Sequence, residues 1–283
     1  MTAISLVQKV KNLPPVSQAA LKLISLLEKS SGDNSEIVQV LKYDNVLTAK
    51  LLQACNSSAF SLEESVASVD QAVLILGYKQ ILHIVMTLAF RGVMAISSVS
   101  YTMQMNDLWQ HSLVSAIAAE IVIKEVPELE AKANVAFTAS LLHDIGKLVL
   151  ALTLTPPQLA EIRDCTERKQ ISGWAAEKEV LGVDHGEVGA ALLKSWRLPE
   201  TIIEAVGNHH RPTVKPEPRA SALVHLANSA AHHANPPPGQ TVYDLRMDDA
   251  VTGAFQLNGE KMDRMVLEVK NSFEHVDRFM SMN

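Results

Sequence analysis

FTASLLHDIGKLVLAL, residues 137–152, sets a histidine and an aspartate side by side in a segment otherwise fit for burial. Read as a helix at about 100° per residue, it places Phe137, Leu141, Ile145, Leu148 and Leu152 on one face, with Asp144 in the middle of that stripe. An ionised carboxylate left unpaired in an apolar interior costs several kcal/mol. The stretch therefore predicts an arginine, a histidinium or a metal ion facing Asp144, and His143 is the nearest group able to share such an ion.

The neighbouring segments read as further helices. Asn106-Asp107 can cap LWQHSLVSAIAAEIVIK, on which His111 lies beside Ser115, Ala118, Ala119 and Val122, a face of small side chains that admits a close neighbour. Beyond Pro156-Pro157, residues 158–169 and 174–181 look helical, with Gly173 and Gly182 as breaks. Asp184 can cap a helix from His185 to Trp196, with His185, Gly189, Leu192 and Trp196 on one face. Pro199 opens a helix Glu200 to His210, where His209 shares a face with Ile202 and Val206. A stiff connector with Pro212, Pro216 and Pro218 leads to a helix around Ala220 to His233, a proline-rich loop Asn235 to Gln240 and final segments up to Met280.

The first third reads the same way. Leu13-Pro14-Pro15 starts a helix that Ser30-Ser31-Gly32 stops, Ser35 caps Glu36 to Tyr43, and Asp44-Asn45 turns into Val46 to Cys55, which Asn56-Ser57-Ser58 ends. Ser68 to Leu76 follows, with Gly77 as its C-terminal cap before Lys79 to Phe90. No stretch alternates strongly enough to read as a strand, so the expected class is all-α.

At 283 residues and 47% hydrophobic content the chain can bury a sizeable core. A formal net charge of -6 gives no strong pull toward nucleic acid or an anionic membrane. Two cysteines, Cys55 and Cys165, lie far apart and without metal-ligand spacing, as in a reducing compartment. The first ten residues lack the charged start and apolar run of a secretory signal, and the apolar stretch Ile81 to Phe90 is too short to span a bilayer. These readings point to the cytoplasm, with no membrane and no nucleic acid as partner.

Of the ten histidines, His83 reads as a packed core residue, and His225, His232, His233 and His275 as partly exposed residues on or after a late helix. His111, His143, Asp144, His185, His209 and His210 differ, because each falls on or beside an inward face and together they come from four helices. Imidazole and carboxylate from facing helices suit zinc, iron, manganese or nickel, and six such groups can hold two ions fit for phosphoryl chemistry. Lys147, one turn after His143, faces either a substrate phosphate or solvent. The competing reading is a polar core network in which Asp144 takes hydrogen bonds from His111 and His143 without any metal.

LLHDIGK, the histidine in LWQHS and then DHGEVGAALLKSWRLPETIIEAVGNHHRP resemble the HDOD family, the HD-related output domain of bacterial signalling proteins. LPP, LKYDNVLTAKLLQACNSSAF and SVDQAVLILGYKQI resemble that family's opening helices, so the likeness covers residues 13–212. It implies a multi-helix HD-domain-like bundle with an N-terminal helical subdomain at 13–105, an HD-like subdomain at 106–212, and a mostly helical extension at 213–283. It also implies kinship with metal-dependent HD phosphohydrolases. By position, His111 matches their first histidine ligand, His143 and Asp144 the pair, and His185, His209 and His210 the added histidines of two-metal members. Lys147 matches the lysine after the pair. Two departures stand out: the last aspartate is Asn228 in VHLANSAA, a weaker and neutral ligand, and RPTVKPEP after His209-His210 lacks the glycine-tyrosine-proline signature of cyclic di-GMP hydrolases.

The resemblance thus implies a signalling output or scaffolding module that acts through protein partners and keeps an HD-like metal site. The alternative is a metal-dependent phosphohydrolase or phosphodiesterase, with Asp144 orienting water and Lys147 steadying phosphate.

Overall fold

Asn56 ties the first corner of the chain together: its side-chain amide donates to Val66 O at 2.9 Å and its Oδ1 accepts from Val66 N at 2.7 Å. This computed structural model describes residues 1–10, 16–27, 34–57, 60, 65–94, 105–214, 219–237, 243 and 246–280. The expected start at Leu13-Pro14-Pro15, the stop at Ser30-Ser31-Gly32, and Pro216 and Pro218 of the connector lie outside the described residues, as does the side chain of His275.

Among the described residues there are helices and no strand. The first part holds α1 (Ala3–Lys9), α2 (Gln18–Leu27), α3 (Asn34–Lys42), α4 (Asn45–Cys55) and α5 (Val69–Met94). Asp44 caps α4 by accepting from Leu47 N. Gly77 breaks α5 with φ 78°, a left-handed conformation that glycine adopts without steric cost. Next come α6 (Met105–Glu125), a 3-10 turn at Pro127–Leu129, α7 (Ala133–Leu142) and α8 (Ile145–Thr153). The chain continues through α9 (Pro156–Lys169), α10 (Gly173–Leu181), α11 (His185–Ser195) and α12 (Glu200–Gly207), then α13 (Ala220–Ala234), α14 (Asp249–Ala254) and α15 (Gly259–Met280).

At the centre α6 packs on α7, α13 and α15, while α12 packs on α7, α11 and α13. The small face expected of α6 is buried there, with Ser115, Ala118, Ala119 and Val122 all shielded. α2 to α5 form a second group of packed helices, joined to the centre through α5 and α2 against α7 and through α5 against α6.

Two expectations are corrected here. The stretch 137–152 is not one helix: α7 ends at Leu142, Asp144 takes φ -96° and ψ 6°, and α8 begins at Ile145. The physical reason is the seat of α11. A Cβ on Gly146 would lie 1.9 Å from His185 O, so α8 must turn its one bare position toward that backbone. The helix expected over Glu200 to His210 ends at Gly207, leaving His209 and His210 in the turn beyond it.

Val69–Arg91 and Ala133–Thr153 are long and apolar enough to cross a membrane, which goes beyond the short span expected around Ile81 to Phe90. The second is 89% buried inside the protein, as befits a core helix pair.

Candidate metal centre

The break between α7 and α8 puts His143 and Asp144 where helices α6, α11 and α13 and the turn after α12 converge. His143 Nδ1 donates to Ser140 O at 2.7 Å, and His209 Nδ1 donates to Val206 O at 2.7 Å. With the protons on Nδ1, both rings turn an Nε2 lone pair inward. Asp184 caps α11 in a reciprocal capping box with Glu187, which places His185 at the first helical position. Arg211 holds Asp184 at 2.7 Å.

Asp144 lies between two groups of donors. Its Oδ2 is 3.4 Å from His143 Nε2 and 3.8 Å from His111 Nε2. Its Oδ1 is 3.0 Å from His185 Nε2 and 4.0 Å from His209 Nε2. His210 Nε2 meets His185 Nε2 at 2.8 Å. Ligand atoms of His111, His143 and Asp144 form one compact group, and those of His185, His209 and His210 another, each within 4.8 Å.

Burial alone would raise the Asp144 carboxyl, but His143 and the Lys147 ammonium hold it well below the usual carboxylate range. Burial lowers His111 to about 3 and pushes His209 and His210 well below their ordinary value, so these rings are neutral; the Nε2 lone pair of His209 has no hydrogen-bond partner, whereas His111 Nε2 donates to Asn228 Oδ1 and His210 Nε2 accepts from His185. His185 goes the other way. Burial would lower it, yet Glu177 and Asp144 on its two sides raise it to about 9. A positive charge is favoured between those carboxylates.

Lys147 faces neither solvent nor an open pocket: its Nζ lies 2.8 Å from Asp144 Oδ2 and its side chain is 13% exposed. Asn228 Oδ1 pairs with His111 Nε2 at 2.9 Å. The six ligand-type residues and Asn228 thus come together around one carboxylate.

Three participants escape the sequence reading. Glu177 is buried and binds both the ring Nδ1 and the backbone N–H of His185. His232, expected to be partly exposed, is buried and stacks on His111 with ring centroids 4.2 Å apart. His225 is also buried rather than exposed; its Nδ1 donates to His209 O at 2.8 Å and its Nε2 accepts from Asp248 N at 3.0 Å. Both histidines lie on α13, which is drawn into the centre by its packing on α6. Their spacing from Asn228, three before and four after, is a helical repeat the sequence contains.

A cavity of about 410 Å³ opens beside the centre, lined by His210 and Asn228 on one side and Trp174, Tyr243 and Arg246 on the other. Trp174 stacks on His210 at 5.2 Å.

Residues 13–212 match the family model for the HDOD domain. A protein of Treponema pallidum (strain Nichols) is 22% identical over 96% of this chain and 52% of its own length. The chain thus spans about half the length of the curated relative it matches. Among solved structures, a candidate signal transduction protein from Marinobacter aquaeolei VT8 has a TM-score of 0.76 at 22% identity, covering 98% of this chain and 63% of its own. A candidate phosphohydrolase from Shewanella amazonensis SB2B has a TM-score of 0.67 at 22% identity, covering 97% and 98%. At these identities the likeness to the solved structures concerns the fold.

Proposed function

The chain belongs to the HDOD family, and on that premise we propose that it is a cytoplasmic signal-transduction output module, acting on signalling proteins, whose histidine–aspartate centre holds divalent transition metal. The observation that carries this reading is the pair of donor groups flanking one buried, ionised carboxylate, Asp144.

The residues fit such an ion. His143 Nε2 and His209 Nε2 are buried without a hydrogen-bond partner and crowd the space beside the Asp144 carboxylate. Leaving them so costs stability, which a cation would recover. His111, His143 and Asp144 would hold one ion, and His185, His209 and His210 with Asp144 a second, drawn from iron, zinc, manganese or nickel. Glu177 orients His185 for that task, as carboxylates behind ligating histidines do. The neutral Asn228 where relatives carry a carboxylate favours holding an ion over turning over a substrate.

One observation favours a second reading, phosphoester hydrolysis: the cavity against His210 and Asn228 carries an Arg246 whose side chain is 82% exposed. Arg246 would bind and orient a phosphate in that cavity, and Trp174 and Tyr243 would bind an apolar portion, while Lys147 stays held on Asp144. A bound ion supplies charge stabilisation to phosphoester oxygens. The separating experiment reconstitutes the protein with each of the four metals and assays nucleotides, phosphomonoesters and phosphodiesters. Loaded protein that turns over none of them supports the output module. Turnover that vanishes in His143→Ala and Asp144→Ala makes it a hydrolase.

A further inference from the structure

Arg211 follows His210 in the turn after α12, where its backbone N–H donates to Asn208 O at 3.0 Å. Its side chain reaches back to the start of α11: Nη2 donates to Asp184 Oδ2 at 2.7 Å and to Glu187 Oε1 at 3.2 Å. The same two carboxylates make the capping box of α11 with their other oxygens. Asp184 Oδ1 accepts from Glu187 N at 2.9 Å, and Glu187 Oε2 accepts from Asp184 N at 3.1 Å. One oxygen of each thus holds the helix end, and the other holds Arg211.

Ion pairs between two exposed side chains are loose and contribute little. Here the Arg211 side chain is 45% exposed but that of Asp184 only 1%, so the short bond is shielded on its acceptor side. The guanidinium also lies over Trp174 of α10, 5.9 Å from the ring centroid and within cation–π range. Trp174 in turn stacks on His210 with the two planes within 11°. One planar cation therefore joins α10, α11 and the turn after α12.

His185 follows Asp184 in the sequence and His210 precedes Arg211, so the Arg211–Asp184 bond closes a frame around the 2.8 Å contact between His185 Nε2 and His210 Nε2. His111 and His143 take their places from α6 and from the end of α7. We propose that Arg211 is a positioning residue, which locks the turn carrying His209 and His210 onto the start of α11 and keeps that donor group in register with His185. A lysine could reach a carboxylate but could not also lay a planar face on Trp174. The effect on metal affinity rests on the proposed metal reading of the centre, whereas the lock is a property of the metal-free chain.

The test compares the 283-residue chain with Arg211→Gln, Arg211→Lys and Asp184→Asn, the last of which keeps a side chain able to cap α11. In the NMR spectrum of metal-free protein the ring protons of His210, assigned by their loss in His210→Gln, carry the ring-current shift of Trp174. Arg211→Gln and Asp184→Asn should both move these resonances and leave those of the His143 ring in place; Arg211→Lys should move them less. In manganese titrations followed by electron paramagnetic resonance, Arg211→Gln should weaken one of two ions roughly 10–100-fold and leave the other unchanged. Adding Asp184→Asn to Arg211→Gln should weaken that ion no further. An unmodified chain that takes up no manganese, with His210 still displaced in Arg211→Gln, would remove the metal reading and keep the lock. Unmoved His210 resonances, equal displacement of His143, or manganese binding that is unweakened or weakened equally at both ions would overturn the proposal.

Discussion

Glu177 Oε2 lies 2.8 Å from His185 Nδ1 and also accepts the His185 backbone N–H at 2.6 Å, so one buried carboxylate fixes both the ring and the main chain of a histidine in the candidate centre. Glu177→Gln keeps the shape and removes the charge. Metal affinity at the His185 group should fall roughly 10–100-fold, measured by competition with a chelator.

Gly146 is the point where α8 meets α11. A Cβ there would sit 1.9 Å from His185 O and 2.7 Å from Gly189 N, both backbone atoms that cannot swing aside. Gly146→Ala should cost about 1–3 kcal/mol or more in urea unfolding and spread the two donor groups. At Gly253 a Cβ meets nothing within 4 Å, so Gly253→Ala should leave stability unchanged or slightly raised.

Stability of the metal-free protein should depend on pH in two opposed ways. His111 falls from 6.5 to about 3 on folding, because burial disfavours its charge; the unfolded chain then binds the extra proton, and stability drops as pH falls from about 6.5 toward 3. His209, His210 and His232 act in the same direction. His185, raised to about 9, gives stability that is fully present below about 6.5 and lost as pH rises through about 9. For these groups the optimum falls near pH 6.5, which a series of urea midpoints would check. Metal uptake at His185 must release its proton, so affinity there should rise with pH up to about 9.

Asn228 Oδ1 stands 2.9 Å from His111 Nε2, beside the group formed with His143 and Asp144. Asn228→Asp would add a charged oxygen at that position. Affinity for the ion nearest His111 should rise about tenfold, read by calorimetric titration with manganese or zinc.

Much of this was legible in the residues themselves. Gly77 and Asp184 punctuate their helices as expected, one by positive φ and the other by a capping box. The carboxylate in an apolar stripe called for an arginine, a histidinium or a metal ion; the protein sets the His185 imidazole against it and adds Lys147, which that reading did not name as its partner. Apolar periodicity runs unbroken through 143–144, so it could not reveal the turn there; the cause lies in the distant backbone of His185 against Gly146. Glu177 sits in AAEKEV, where neighbouring Lys178 and Glu179 make it look solvated, and only the fold shows it buried.

The central claim is that the centre around Asp144 holds metal. Elemental analysis of the 283-residue chain purified without chelator, beside His143→Ala and Asp144→Ala, tests it directly. About one to two equivalents of transition metal per chain are predicted for the unmodified protein, with most of it lost from both variants. Metal-free protein that gains no ion on anaerobic incubation with iron, manganese, zinc or nickel would contradict the account and leave a polar core network in its place.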